Sequence, residues 1–284
     1  METEDMIQVQ LVNSLKKHWH ANTMKNISGK IAVVAAGSSG IGKGIARVLS
    51  KEGCRVIIFS RDSVKLSDAA VEIENETKNQ VSYCKADLRD RRDLERLMDF
   101  VHESLGKIDF LIMNYGDPKL APFEDLTDAD WDENIAMFLR STIYLTKASL
   151  KDMRERGGRI VFVTSMTTKM GIENFSISGS LRSALVNLAK VVSLEKASMG
   201  ITVNSISQGY VLTDRVRNIA RSRSEEGGIT YEEALNGIMR SIPVKRFAAP
   251  EEIGSLVAYL CSDDASYITG TNIQIDGGYV RFPF

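Results

Sequence analysis

The residues whose types and spacing can do chemistry begin with Gly37-Ser38-Ser39-Gly40-Ile41-Gly42. Glycines let a backbone turn sharply and let a ligand approach the main chain closely. An apolar run, Ile31 to Ala36, leads into the turn, and a helical pattern follows with Ile41, Ile45, Val48 and Leu49 on one face. Strand, glycine turn and helix together bring bare N–H groups and a helix N-terminus up to a phosphate. The same spacing also suits a tight turn with no ligand. The second apolar strand that follows, Cys54 to Phe59, favours the phosphate.

Other chemistries find less support. Lys16-Lys17-His18-Trp19-His20 has no Cys, Asp or Glu nearby to complete a metal site, so these side chains read as solvated and no metal is expected. The remaining histidine, His102, lies on a charged helix face and reads as solvated too. A Ser-His-Asp hydrolase is left without its base. Cys54, Cys84 and Cys261 are far apart, and they read as reduced core residues of a cytoplasmic protein.

Alternating strands and helices must position the turn. The chain has 284 residues and a formal charge of −1, which gives no electrostatic reason to expect nucleic acid or an anionic membrane. No apolar run reaches the roughly 18 residues of a spanning helix. Residues 1–28 read as an N-terminal extension: an acidic start, then Ile7, Leu11 and Leu15 in a short amphipathic pattern. From residue 29 on, strands are expected at Ile31–Ala36, Cys54–Phe59, Val81–Lys85, Ile108–Met113, Gly157–Ser165, Ile201–Ile206 and Asn272–Ile275. Between them fall helical patterns over 63–78, 91–105, 127–156, 178–199 and 250–261. The expected fold is α/β: one Rossmann-type doubly wound parallel sheet of about seven strands with helices on both faces. Residues 213–248 are polar and read as a mobile substrate lid on this 29–284 domain.

Several segments at the expected strand ends match one family together. From about residue 29 to 280 the chain resembles the short-chain dehydrogenase/reductases, in order and spacing most like the β-ketoacyl carrier-protein reductases. Ala35-Ala36-Gly37-Ser38-Ser39-Gly40-Ile41-Gly42 stands where the family writes Thr-Gly-x-x-x-Gly-Ile-Gly. Asp87-Leu88 matches the pair that holds adenine, and Met113-Asn114-Tyr115-Gly116 matches Asn-Asn-Ala-Gly. The segment Asn204 to Thr213, with Gly209 and Val211, matches Asn-x-Ile-x-Pro-Gly-x-x-x-Thr. The resemblance implies cofactor contacts from Gly37, Ser38, Ser39, Gly40, Ile41, Asp87, Leu88, Asn114, Gly116, Gly209, Val211 and Thr213.

The same comparison shows departures. Ser165 fits the family's catalytic serine, but the tyrosine position holds Ser178 and the lysine position holds Arg182. Phe138 replaces the helical asparagine, Ala36 the first glycine, and Gln208 the proline before Gly209. An aliphatic hydroxyl is a much weaker acid than a phenol, so Ser178 cannot simply inherit proton transfer. Arg182 can still hold nicotinamide ribose hydroxyls, as the lysine does, without relaying a proton by titration. Lys169, four residues after Ser165, is the first candidate for a replacement acid. Tyr115 and Tyr210, beside the expected nicotinamide position, are the others.

The second strand ends Phe59-Ser60-Arg61 rather than in an acid, which favours NADP(H) over NAD(H). The resemblance implies an NAD(P)(H)-dependent oxidoreductase interconverting a small-molecule carbonyl and an alcohol, possible substrates including 3-oxoacyl carrier proteins. The lost Tyr–Lys pair supports the rival reading, a cofactor-binding pseudoenzyme or regulatory subunit. Helices 128–156 and 178–199 carry more apolar residues than one sheet face needs, and in the family they build the main dimer contact, so a homodimer or homotetramer is expected.

Overall fold

The computed structural model describes residues 24–282. The expected amphipathic segment at Ile7 to Leu15 and the His18/His20 pair lie outside the described residues. Within them, seven parallel strands form one sheet: β1 (Ile31–Ala35), β2 (Arg55–Ser60), β3 (Val81–Lys85), β4 (Phe110–Met113), β5 (Gly158–Val163), β6 (Ile201–Gln208) and β7 (Asn272–Ile275). Their spatial order is β3-β2-β1-β4-β5-β6-β7. The chain therefore reverses direction across the sheet between β1 and β4, and a crevice opens there at the carboxyl ends of the strands.

Strand alternation supplies two cores. Val34, Ile58, Ile112 and Val161 point to one face, where α1 (Gly40–Lys51), α2 (Ser63–Thr77) and α9 (Pro250–Cys261) contribute Ile45, Leu49, Leu66, Ile73, Ile253 and Val257. Val33, Leu111, Ile160 and Phe162 point to the other face. There α3 (Arg91–Ser104), α5 (Ser141–Met153) and α6 (Ser176–Lys196) bring Leu97, Leu145 and Leu185. Each such fully buried side chain stabilises the fold by about 1.5–3 kcal/mol relative to exposure.

The helix expected over 127–156 is interrupted. A capping box closes α4 (Asp128–Ile135), with Thr127 and Asp130 bonding each other's backbone N–H. Residues Ala136–Arg140 then widen into a π turn before α5 begins. Thr142 Oγ1 donates back to the Phe138 carbonyl at 2.6 Å, and Ser141 Oγ donates back to that of Met137. Such side chains compete for carbonyls that a regular helix would use, and they accompany distorted turns.

Residues 213–248 hold two helices, α7 (Asp214–Gly227) and α8 (Tyr231–Ser241). Polar composition hid them, because only Val216, Ala220, Ala234 and Ile238 are buried, against Met166, Tyr210 and Val280. The excursion leaves and returns at one point: Ala248 N donates to the Tyr210 carbonyl and Leu212 N to the Ala248 carbonyl.

Candidate active site

The crevice between β1 and β4 is a cavity of about 840 Å³. On one side it is walled by the glycine turn and the ends of β2 and β3. On the other lie the ends of β4, β5 and β6 and the start of α7.

At the glycine turn, Gly40 takes φ +53°, and a Cβ there would press on Thr213 at 3.2 Å. Ser39 caps α1 without a side-chain hydrogen bond, and no acid stands in the first turn of that helix. The helix N-terminus thus presents open N–H groups and its positive dipole end to the cavity, the arrangement a diphosphate needs. Ala36, Ser38, Ser39, Gly40 and Ile41 line the wall. Gly37, expected on the wall, sits behind it: it is buried, and a Cβ there would lie 2.6 Å from Ile58 Cβ. Its lack of a side chain serves close approach of the turn to β2. Ala36 takes the left-handed conformation in front, at φ +49°.

At the far end of the same side, Arg61, Lys65, Lys85, Asp87 and Leu88 line the cavity. Burial opposes ionisation of Asp87, but hydrogen bonds from the Arg89 side chain and backbone N–H win and lower its pKa. Ser38 and Ser60 bond each other at 3.0 Å beside these cations. Sequence reasoning singled out Arg61 alone. Lys65 and Lys85 were legible as the fourth residue beyond Arg61 and the last residue of β3.

Across the switch point, Asn114, Tyr115, Gly116, Ser165, Ser178, Arg182, Gly209, Tyr210, Val211 and Thr213 line the cavity together. Ser165, two residues beyond the end of β5, caps a 3-10 turn over Met166–Thr168, and its Oγ accepts from Thr167 N at 3.2 Å. Ser178 lies 3.3 Å from Thr167 Oγ1 and is buried. Arg182 is only 8% exposed; its Nη1 donates to the Val163 carbonyl at 2.9 Å, and its Nε has no partner among the described residues. Burial draws its pKa down from 12.5 to about 10.

The candidate acids separate. Lys169 is half-buried and is not on the cavity wall among the described residues. At three residues per turn, position 169 lies about 120° round the 3-10 axis from Ser165. Tyr115 is on the wall, but its proton points inward. Thr142 gives its only proton to the Phe138 carbonyl, so the 2.7 Å bond between Tyr115 and Thr142 has the phenol as donor. Tyr210 lines the wall and packs edge-on against Tyr279, with ring centroids 5.2 Å apart; its pKa is pushed up to about 12, chiefly by burial, with Arg223 pulling the other way. At the start of α7, Arg215 donates to the Pro118 carbonyl at 3.3 Å and faces Asp117 at 3.6 Å, which ties α7 to the loop after β4.

His102 is exposed, as expected, and also pairs with Asp152 at 2.9 Å on the far side of the sheet from α1. Among the described residues, no group of three His, Cys, Asp or Glu side chains is arranged to hold a metal ion, and no helix is long and apolar enough to cross a membrane.

A family model described as "Enoyl-(Acyl carrier protein) reductase" matches residues 35–280. Oxidoreductase UcpA of Salmonella typhimurium is 35% identical over 260 residues, covering 90% of this chain and 96% of the relative. A D-beta-hydroxybutyrate dehydrogenase of Rhizobium meliloti is 32% identical, with 88% and 98% covered. Among solved structures, L-sorbose reductase from Gluconobacter frateurii complexed with NADPH and L-sorbose superposes with a TM-score of 0.85 at 28% identity, covering 92% of this chain and 99% of that one. An actinorhodin polyketide ketoreductase with NADPH gives 0.86 at 30% identity, with 91% and 100% covered. Strand order, the glycine turn at the switch point and these full-length matches agree: the chain belongs to the short-chain dehydrogenase/reductase family.

Proposed function

We propose that this protein is an NADP(H)-dependent oxidoreductase that interconverts a small-molecule carbonyl and its alcohol. The observation that carries the reading is the open N-terminus of α1 facing a cavity that also gathers Asn114, Ser165 and Arg182. The fit is chemical as well as spatial. A diphosphate suits the uncapped helix end, and ribose hydroxyls suit the Arg182 guanidinium on the cavity wall. The relatives named above support the class of reaction. Arg61, Lys65 and Lys85 favour a 2′-phosphate at the adenine end.

When bound, the nicotinamide supplies or accepts hydride at the substrate carbon. The chain's own residues handle the oxygen. Ser165 donates a hydrogen bond to it, and the Arg182 charge stabilises negative charge developing there. In reduction the oxygen must gain one proton. Tyr210 is the cavity phenol with a cation, Arg223, beside it, and it serves as that donor. Lys169 is the second reading, supported by its place four residues beyond Ser165. Gly209, Val211 and Thr213 line the cavity and would hold the nicotinamide, and α7 with α8 forms the substrate lid. A 3-oxoacyl group on a carrier protein is the substrate suggested by the motif order; the family model's description supports only the carrier-protein part of that reading. A carbonyl panel with NADPH, followed at the nicotinamide absorbance, tests the reading. Turnover with any member supports it, and binding without turnover across the panel would favour a cofactor-binding role alone.

A further inference from the structure

Arg182 and Phe138, two positions that depart from the family pattern, meet Tyr115, which stands where the family's Asn-Asn-Ala-Gly segment has its alanine. Arg182 Cζ lies 4.8 Å from the Phe138 ring centroid and 5.7 Å from that of Tyr115. The two rings are themselves neighbours, with centroids 4.8 Å apart and planes tilted by 34°. The guanidinium is pinned at one edge by the Val163 carbonyl and backed by two aromatic faces.

We infer that Phe138 and Tyr115 are positioning residues for Arg182: their rings hold the guanidinium so that its free edge meets the dinucleotide in the cavity. The inference rests on the proposed cofactor binding. A cation this deeply buried needs compensation for its lost water. The described residues offer it no bonded carboxylate; Asp117, the acid whose charge acts on it, is exposed. Ring faces are the remaining source of attraction, and a planar guanidinium exploits them better than an ammonium. The rings are fixed in turn. Tyr115 donates to Thr142 Oγ1, and Thr142 donates to the Phe138 carbonyl inside the π turn. An asparagine at 138 or an alanine at 115 would remove this backing. Arg182, Phe138 and Tyr115 are therefore one rebuilt unit and not separate changes.

A double-mutant cycle read by NADPH fluorescence titration tests this. Phe138→Leu keeps an apolar side chain but removes the ring. It should weaken NADPH about tenfold when residue 182 is arginine, and by less than about twofold in the Arg182→Lys background. Equal losses in both backgrounds would show a merely structural role and overturn the inference. If Phe138→Leu does not fold, Tyr115 carries the same test. Tyr115→Phe, which keeps the ring, should hold affinity within about twofold, and Tyr115→Leu should lose about tenfold. Equal losses in those two variants would also overturn it. A wild-type chain that binds neither NADPH nor NADH would overturn the proposed function and this inference with it.

Discussion

Ser178 Oγ lies 3.3 Å from Thr167 Oγ1, so the hydroxyl at the family's tyrosine position is engaged with its neighbour rather than with an adjacent base. Neither group titrates in the working range. Ser178→Ala should therefore lower kcat by no more than a few-fold. Ser165→Ala should cost about 10²-fold or more, the scale of a lost donor to a developing oxyanion. Steady-state kinetics on one turned-over carbonyl checks both. A severe Ser178→Ala defect would return position 178 to the chemistry.

Tyr210→Phe should lower kcat by about 10²-fold and leave NADPH affinity nearly unchanged. Lys169→Met should leave both within a few-fold, since Lys169 is off the cavity wall. The reverse pattern would transfer the proton to Lys169.

The pH dependence follows from two groups. Tyr210 is pushed up to about 12 and Arg182 down to about 10, both chiefly by burial, so neither changes charge near neutrality. Carbonyl reduction should be flat in kcat/KM from about pH 6 to 9, and NADPH affinity should fall as pH rises through about 10 and Arg182 loses its charge. The stability effect has the opposite sign. Arg182 is depressed in the folded state, so above about pH 10 the unfolded chain binds more protons, and this group's contribution rises with pH there. An inflection in kcat/KM between about pH 6 and 9 would point to a titrating donor outside this pair.

Ala36 pays for a left-handed backbone at φ +49° with a Cβ in place. Ala36→Gly should leave the fold unchanged or stabilise it by up to about 1 kcal/mol, because glycine relieves the strain but loses more chain entropy on folding. Thermal melting measures this. A clear destabilisation would mean that the methyl group makes contacts worth more than the strain.

Leu194 is 72% exposed, Val191 44% and Ile143 41%, on the outer faces of α6 and α5. Burial of this surface in a homodimer or homotetramer is the expected outcome in sedimentation at micromolar concentration. Leu194→Glu should shift the chain toward monomer, and a monomeric wild type would refute the assembly.

Much of this was legible before any coordinates. The strands read well because both faces of a parallel sheet are buried, giving runs such as Ile31 to Ala35 and Arg55 to Ser60 with few polar interruptions. The glycine turn carried its own meaning, down to the helix that follows. That Gly37 lies behind the cavity wall was not legible, because spacing alone does not say which residue of a turn faces outward. Helices α7 and α8 were missed because few of their residues are buried. The π turn at 136–140 leaves no periodic signal, so the meeting of Tyr115, Phe138 and Arg182 could not be read from three distant segments. Lys169 looked near Ser165 in sequence, and one turn of 3-10 helix carried it round the axis.

The account depends most on dinucleotide binding in the cavity at the β1–β4 switch point. Isothermal titration of the wild-type chain with NADPH and with NADH, repeated on Arg61→Ala, measures it directly. We expect one saturable site that prefers NADPH. A charged hydrogen bond is worth about 1.5–3 kcal/mol, so Arg61→Ala should weaken NADPH by roughly 10- to 100-fold and barely affect NADH. Tighter NADH binding that is indifferent to Arg61 would contradict the cofactor preference, and no heat with either nucleotide would contradict the account itself.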